Sequence, residues 1–508
     1  MNIHHERDIE ILRQAATLLE HENEKLMRRT IELERENLRL QGKSPEELQL
    51  RLKMIEAELQ KKNKALFGPK SEKRPGEKSA ESKSPPRGHG PREQTELPTT
   101  SVVHKLDEAD QGCPKCGEHL PEWAEQFEAS EEIHVEHKHY FVQKNLRQKY
   151  KCGCGHIETA LGPEKLQAGG KYSIDFAVSV AVDKYLFHLP LERQVRMMAL
   201  EGLTIDSQTL WDQIERVGKI LAPLYDRLRG HIIAQPIIGM DETHWRMLSG
   251  KASTKRWQVW ATCTGNAVAY SILPSRSAEA AKSVLGDFAG IIMCDAYAVY
   301  DKLAKSNPNL RIAHCLAHVR RKFIEAHSDY PEQCEEALGF ILQLYEIEAE
   351  ARDTGPPETL AERRRILRNE KSRGLMRQLH DWALAQRVLP QSSIGQAIAY
   401  MSECWRGLEV FLSEPELAID NNATERALRG VVVGRKNHYG SKSDRGTEVA
   451  ALFYSMIESC KLNGVDPRKY LAAAVRTAIR DGGLAPLPHD PSCQSFAETP
   501  EADSPLQS

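Results

Sequence analysis

Three carboxylates stand out by what surrounds them. Asp241 follows "PIIGM" and Asp295 follows "GIIMC", two apolar runs of strand type, and Glu425 lies in the helix-like stretch "DNNATERALRGVVVGRKN". Acids that end neighbouring strands project to one edge of a sheet, where α/β folds place ligands. With a third acid from a nearby helix, such a set could hold one or two Mg²⁺ (or Mn²⁺) ions. Magnesium takes carboxylate oxygens and keeps waters that phosphate oxygens can replace. Two metals about 4 Å apart can activate an attacking oxygen and stabilise a leaving one in a displacement at phosphorus. Each acid also has an ordinary use. Aspartate is common in turns, and Glu425 could answer Asn422 in a capping box or pair with Arg429 one helical turn on. Asp420 is the rival for the third position.

Net charge is −3, but the basic residues are clustered. Residues 426–445 hold Arg426, Arg429, Arg435, Lys436, Lys442 and Arg445 against Asp444 alone. Residues 311–322, with Arg311, Arg320, Arg321 and Lys322, contain no acid, and neither do residues 138–151. Local basic faces bind phosphates even when the summed charge is near zero. Within "HCLAHVRRKF", His314, Cys315 and His318 have a spacing compatible with zinc. The preferred reading is that this stretch supports the acidic site and that His318, Arg320 and Arg321 hold DNA. Cys113 and Cys116, with Cys152 and Cys154, supply four thiolates for a structural zinc, and His156 is an alternative to Cys154. "VVVGRKNHYGSKS" departs from the phosphate-loop pattern, since Ser441 stands before Lys442.

The elements that must position these groups follow from pattern. Leu12, Leu19, Leu26, Leu33 and Leu40 recur every seven residues, a coiled coil over 1–66 that favours self-association. Residues 67–100, rich in Pro, Gly, Ser and charge, form a disordered linker. A zinc-binding segment spans 101–170, and a helical segment 171–232 has a helix-turn-helix outline with Ser207 as a plausible cap. From 233 to 465, three strands in succession are followed by alternating helices and strands. That pattern predicts an α/β sheet with an antiparallel edge, interrupted by a helical insertion at about 329–415. Residues 466–508 form a C-terminal helix and tail. The fold class is therefore multidomain α+β. No stretch approaches the ~18 apolar residues of a membrane helix, and the start "MNIHHERDIEILRQ" is not a secretory signal. Scattered cysteines point to a reducing, cytoplasmic compartment.

Several long stretches, in order, resemble the transposases of the insertion-sequence 66 family: "LFGPKSEK", "CPKCG", "DETHW", "CDAY…YDKL", "HCLAHVRRKF", "DNNATERALRGVVVGRKN" and "SCKLNGVDPRKYL". The resemblance implies a ribonuclease-H-like catalytic core with an Asp-Asp-Glu triad of Asp241, Asp295 and Glu425. It implies a zinc-binding segment and a helical DNA-binding segment ahead of that core. The expected function is a bacterial, nucleoid-associated transposase that binds transposon ends, cleaves phosphodiesters with Mg²⁺ and joins strands to target DNA. Small accessory proteins of the same element are possible partners. A nuclease that never joins strands is the second enzyme reading. A DNA-binding regulator or assembly factor with inert carboxylates is the alternative from another class.

Overall fold

The computed structural model describes residues 138–154, 156–248, 257–353 and 359–496, with isolated positions ahead of residue 138. The expected coiled coil, the linker and Cys113 lie outside the described residues.

Strands β1 (Lys149–Lys151) and β2 (Ile157–Thr159) pair antiparallel, with Cys152 and Cys154 exposed in the turn between them. The Cys152 amide donates to the His156 carbonyl at 2.8 Å. Helices α1 (Ile174–Tyr185), α2 (Leu191–Leu200) and α3 (Ser207–Ile233) follow. The cap of α3 is Asp206 rather than Ser207. The Asp206 carboxylate accepts the Thr209 amide at 2.6 Å, while the Ser207 hydroxyl donates to Glu192. A carboxylate serves better there because it also meets the positive end of the helix dipole. Gly202, at φ 81°, turns the chain between α2 and α3.

The sheet is built as the sequence pattern predicts. Strands β3 (Ile237–Trp245), β4 (Trp257–Cys263) and β5 (Val268–Leu273) form an antiparallel meander. Helix α4 (Ala278–Leu285) leads to β6 (Gly290–Cys294), and α5 (Ala298–Ser306) leads to β7 (Leu310–His314). β6 runs parallel to β3, and β7 parallel to β6, so the order across the sheet is β5-β4-β3-β6-β7.

The helical insertion follows as α6 (Leu316–Ala326), α7 (Pro331–Asp353), α8 (Leu360–Leu367), α9 (Arg373–Ala385) and α10 (Ser393–Leu408), with a π turn at Arg368–Ser372. The chain then returns through α11 (Asn422–His438), α12 (Asp444–Leu462) and α13 (Pro467–Asp481).

Strand alternation sends side chains to two cores. On β6, Ile292 and Cys294 join Phe453, Tyr185 and Ile214 on the face covered by α1, α3 and α12. Ile291 and Met293 join Phe323, Ile341 and Met401 of the insertion on the other face. The helical segment before the sheet thus shares its core with the sheet.

One buried ion pair steers the returning chain. Arg368, fully buried, donates to Glu348 at 2.6 Å and to the carbonyls of Phe411, Glu414 and Leu417 at 2.8, 3.1 and 2.9 Å. Arg364 meets the other Glu348 oxygen at 2.9 Å. A buried charge persists only when paired and hydrogen-bonded. Here the bonds hold the segment that enters α11.

Candidate active site

Asp241 does not end its strand. β3 continues to Trp245 because β4 pairs with it from Gly239 to that residue. The edge that the sequence pattern points to lies on the parallel side. The last β3–β6 pair is Gly239 with Met293, and both Asp241 and Asp295 lie two residues beyond it. They are therefore level with each other where β6 stops. Asp241 Oδ1 accepts the Glu242 amide at 2.8 Å, and Asp295 Oδ1 accepts the Tyr297 amide at 3.1 Å. Burial, reinforced by the charges of Glu242, Asp295 and Glu425, raises the Asp241 carboxyl to about 7.

Glu242 is not singled out by the sequence pattern. Its side chain is buried, receives Arg276 Nε at 2.8 Å and accepts the Tyr300 hydroxyl at 2.6 Å. The Arg276 guanidinium lies 3.8 Å from the Tyr297 ring centre, so the clamp reaches the loop that holds Asp295. An acid within a strand, directly after another acid, was the available signal.

Helix α11 brings Glu425 to this edge. Its first turn is pinned to β3: Asn421 Nδ2 donates to the Met240 carbonyl at 2.9 Å, and Thr424 Oγ1 donates to Asn421 Oδ1 at 2.7 Å. The Asn421 amide donates to Cys315 Sγ at 3.1 Å. The approach is close enough to require a glycine on the strand. A Cβ at Gly239 would lie 2.2 Å from Thr424 Oγ1 and 2.8 Å from Asn421 Oδ1. Gly239→Ala is expected to destabilise the protein by about 1–3 kcal/mol, the usual range for overpacking, and to shift α11. Denaturant unfolding measures the first effect, and a stability equal to wild type would show that α11 yields freely.

Glu425 uses neither of its local alternatives. The α11 cap, Asn421, makes no side-chain capping bond. Glu425 reaches across to α6 instead, with Oε2 at 3.4 Å from Arg321 and Oε1 at 3.6 Å from His318 Nδ1. Asp420 binds the Asn422 amide and side chain at 3.1 and 2.7 Å and faces Tyr345, whose hydroxyl it helps to push up. The charges of both Asp295 and Glu425 reach Asp241. Among the described residues, however, the trio of His, Cys, Asp or Glu ligand atoms all within 4.8 Å of one another is Cys315, His318 and Glu425. His314 stands apart, its Nδ1 3.1 Å from the Cys404 carbonyl. Burial pushes the Cys315 thiol up to about 12.

The basic residues divide by environment. On α11, Arg426, Arg429 and Lys436 are exposed at spacings that share one helix face, and Arg320 is exposed on α6. Arg435 is half-buried and bonded to the β3 residues Thr243 (3.2 Å) and His244, so its guanidinium ties α11 to the sheet. Gly440, at φ 96°, continues that close approach: its Cβ would lie 2.0 Å from the Arg246 carbonyl. "VVVGRKNH" is therefore helix, without a phosphate loop. Cys116, Cys152 and Cys154 are exposed and free, and His156 Nε2 is 3.3 Å from Glu158. Hydrogen bonds from Cys154 hold the Cys152 thiol below its ordinary range.

Among the described residues no helix is long and apolar enough to cross a membrane. Three curated proteins of Sinorhizobium fredii (strain NBRC 101917 / NGR234), each named only as uncharacterized, are similar. Protein y4jD is 35% identical over 359 residues, covering 66% of this chain and 69% of its own length. Protein y4qI is 30% identical over 375 residues, with 70% and 68% covered. Protein y4hP is 29% identical over 366 residues, with 66% and 65% covered, so the chain spans about two thirds of the length of these relatives. The model of the transposase IS66 family matches residues 169–449, more than half of the sequence. The chain belongs to the IS66 family of transposases.

Proposed function

We propose that this protein is a divalent-metal-dependent transposase that cleaves phosphodiesters at transposon ends and joins the freed strands to target DNA. The observation that carries the reading is the level placement of Asp241 and Asp295 at one sheet edge, with a helix pinned beside them that bears Glu425. The strand order, an antiparallel meander continued by two parallel strands, supports a ribonuclease-H-like core.

These residues fit a hard cation. Burial first, then the charges of Glu242, Asp295 and Glu425, raise the Asp241 carboxyl, and a divalent ion would offset both. Such an ion, when bound, activates the attacking oxygen and stabilises charge on the leaving one. The protein's own part is to hold Asp241 and Asp295 through the amides of Glu242 and Tyr297, and to bring Glu425 in from α11. Arg426, Arg429 and Lys436 would track the DNA backbone, with Arg320 and Arg321 beside them, because such side chains neutralise phosphates and fix register. Helices α2 and α3 are the candidates for reading end sequence, and the β1–β2 turn, with Cys116 and Cys113, for a structural zinc. The amino-terminal heptads would pair two protomers and so two DNA ends.

The test is incubation with element-end duplex, target plasmid and Mg²⁺. Joined strands are the expected product. Cleavage without joining indicates a nuclease, and end binding with neither product indicates a regulator or assembly factor. Replacing Arg426, Arg429 and Lys436 together by alanine is expected to weaken binding to all sequences alike. The slope of log K against log salt should fall by about 2 to 3, near 0.9 for each phosphate no longer neutralised. An unchanged slope would remove this face from the DNA path.

A further inference from the structure

Glu425 sits between two sets of partners of different chemistry. On one side are the hard oxygens of Asp241 and Asp295. On the other are a thiol and an imidazole, and it is towards these that its carboxylate is turned. We propose that Cys315, His318 and Glu425 form a second site, selective for a zinc-like ion, whose occupation withdraws Glu425 from the two aspartates and suppresses phosphodiester chemistry. The suppression rests on the triad reading of Glu425; the binding does not.

Three observations support the site. First, His318 Nδ1 and Glu425 Oε1 are both buried without a hydrogen-bond partner, and they face each other at 3.6 Å. Buried polar atoms are nearly always paired, so two facing orphans call for a proton or an ion between them.

Second, the donors are held on rigid elements. Cys315 caps α6 at the end of β7, and its amide donates to the Cys294 carbonyl at 3.0 Å. The Leu316 amide donates to the Ile419 carbonyl at 3.0 Å, and the Asn421 amide to Cys315 Sγ at 3.1 Å. These bonds lock the start of α6 to the start of α11, so the backbone that carries the three donors is held without an ion.

Third, the donor set selects the ion. Sulfur, imidazole nitrogen and one carboxylate oxygen suit zinc and are foreign to magnesium. Three protein ligands leave a fourth position open. His318 and Glu425 are each about a fifth to a quarter exposed, so an ion has a route in. Arg321, on the other Glu425 oxygen, compensates part of the carboxylate charge and weakens its pull on a hard cation more than the soft donors are weakened.

The experiment uses the full chain. Bound zinc is counted by native mass spectrometry after saturation with Zn²⁺ and desalting, for wild type, His318→Asn, Cys315→Ala and Cys152→Ser. The first two substitutions are each expected to remove one zinc, a loss separate from and additive to any caused by Cys152→Ser. With Co²⁺, Cys315→Ala should lose a thiolate-to-cobalt absorption band that Cys152→Ser retains. Cleavage of end DNA in Mg²⁺ is then measured with and without micromolar Zn²⁺, each protein compared with itself. Zinc should lower wild-type cleavage at least tenfold and leave the ratio near one for His318→Asn.

Equal zinc counts and equal cobalt spectra in wild type, His318→Asn and Cys315→Ala would overturn the site and leave a proton shared by His318 and Glu425. Zinc bound at the site without loss of wild-type cleavage would overturn the suppression. If no protein cleaves DNA, the transposase reading fails while the metal count still decides the site.

Discussion

Asp295→Asn is expected to abolish DNA cleavage while leaving binding to element ends close to wild type. The substitution keeps the local structure, because an asparagine oxygen can still accept the Tyr297 amide that Asp295 Oδ1 accepts at 3.1 Å. It removes only the charge. Lewis-acid stabilisation by a bound metal is worth several kcal/mol, and each 1.36 kcal/mol is a factor of ten in rate. The expected loss is therefore about a thousandfold or more in the rate of strand cleavage. End binding should persist because the exposed Arg426, Arg429 and Lys436 of α11, which carry the backbone contacts in this reading, are untouched by the substitution. Single-turnover cleavage of labelled end DNA measures the first, and a mobility shift at fixed salt the second. Cleavage within tenfold of wild type would remove Asp295 from the chemistry. Loss of binding together with a lowered unfolding midpoint would mean that the loop, and not the charge, had been damaged.

How much of this was legible in the sequence depended on the range of the forces involved. The strands from β3 to β7 were readable because each is a short run of β-branched and aromatic residues bounded by turn residues, a local signal. The cap of α3 lies one position before the Ser207 that the pattern suggests, because it is the Asp206 carboxylate that meets the Thr209 amide. The apolar run before Asp241 suggests a strand end, but the strand continues to Trp245. The special position of Asp241 comes from where the neighbouring β6 stops, a matter of pairing between strands far apart in sequence.

The same limit hid the bonds of Glu425. A capping box and an i,i+4 pair are local and could be foreseen as alternatives. The bond to Arg321 and the approach to His318 needed α6 and α11 to meet. Glu242 was missed for a related reason: nothing nearby in sequence announces that Arg276 and Tyr300 converge on it. Gly239, one glycine among 32, became informative only when Thr424 and Asn421 were found against it.

Asp241→Asn, by contrast with most losses of a functional group, should stabilise the metal-free protein at neutral and alkaline pH. The folded Asp241 carboxyl is raised from 3.8 to about 7, first by burial and then by the charges of Glu242, Asp295 and Glu425. The native state therefore binds a proton that the unfolded chain has already released between these values. The sign follows from linkage. The native state suffers no penalty from this group below about pH 4. Stability falls as pH rises towards 7 and then stays reduced. A shift of about three units corresponds to a penalty of order 4 kcal/mol at most.

Asparagine carries no charge and can still accept the Glu242 amide, so the variant should gain about 2–4 kcal/mol over wild type at pH 8 in chelator and little or nothing at pH 4. Added Mg²⁺ should narrow the gap from the other side, because an ion that binds only the native state stabilises it. Denaturant midpoints of both proteins between pH 4 and 8, with chelator and with Mg²⁺, measure all three effects. Parallel pH profiles would mean that Asp241 ionises freely in the native state. The crowding of carboxylates at this edge would then be too weak to call for a cation.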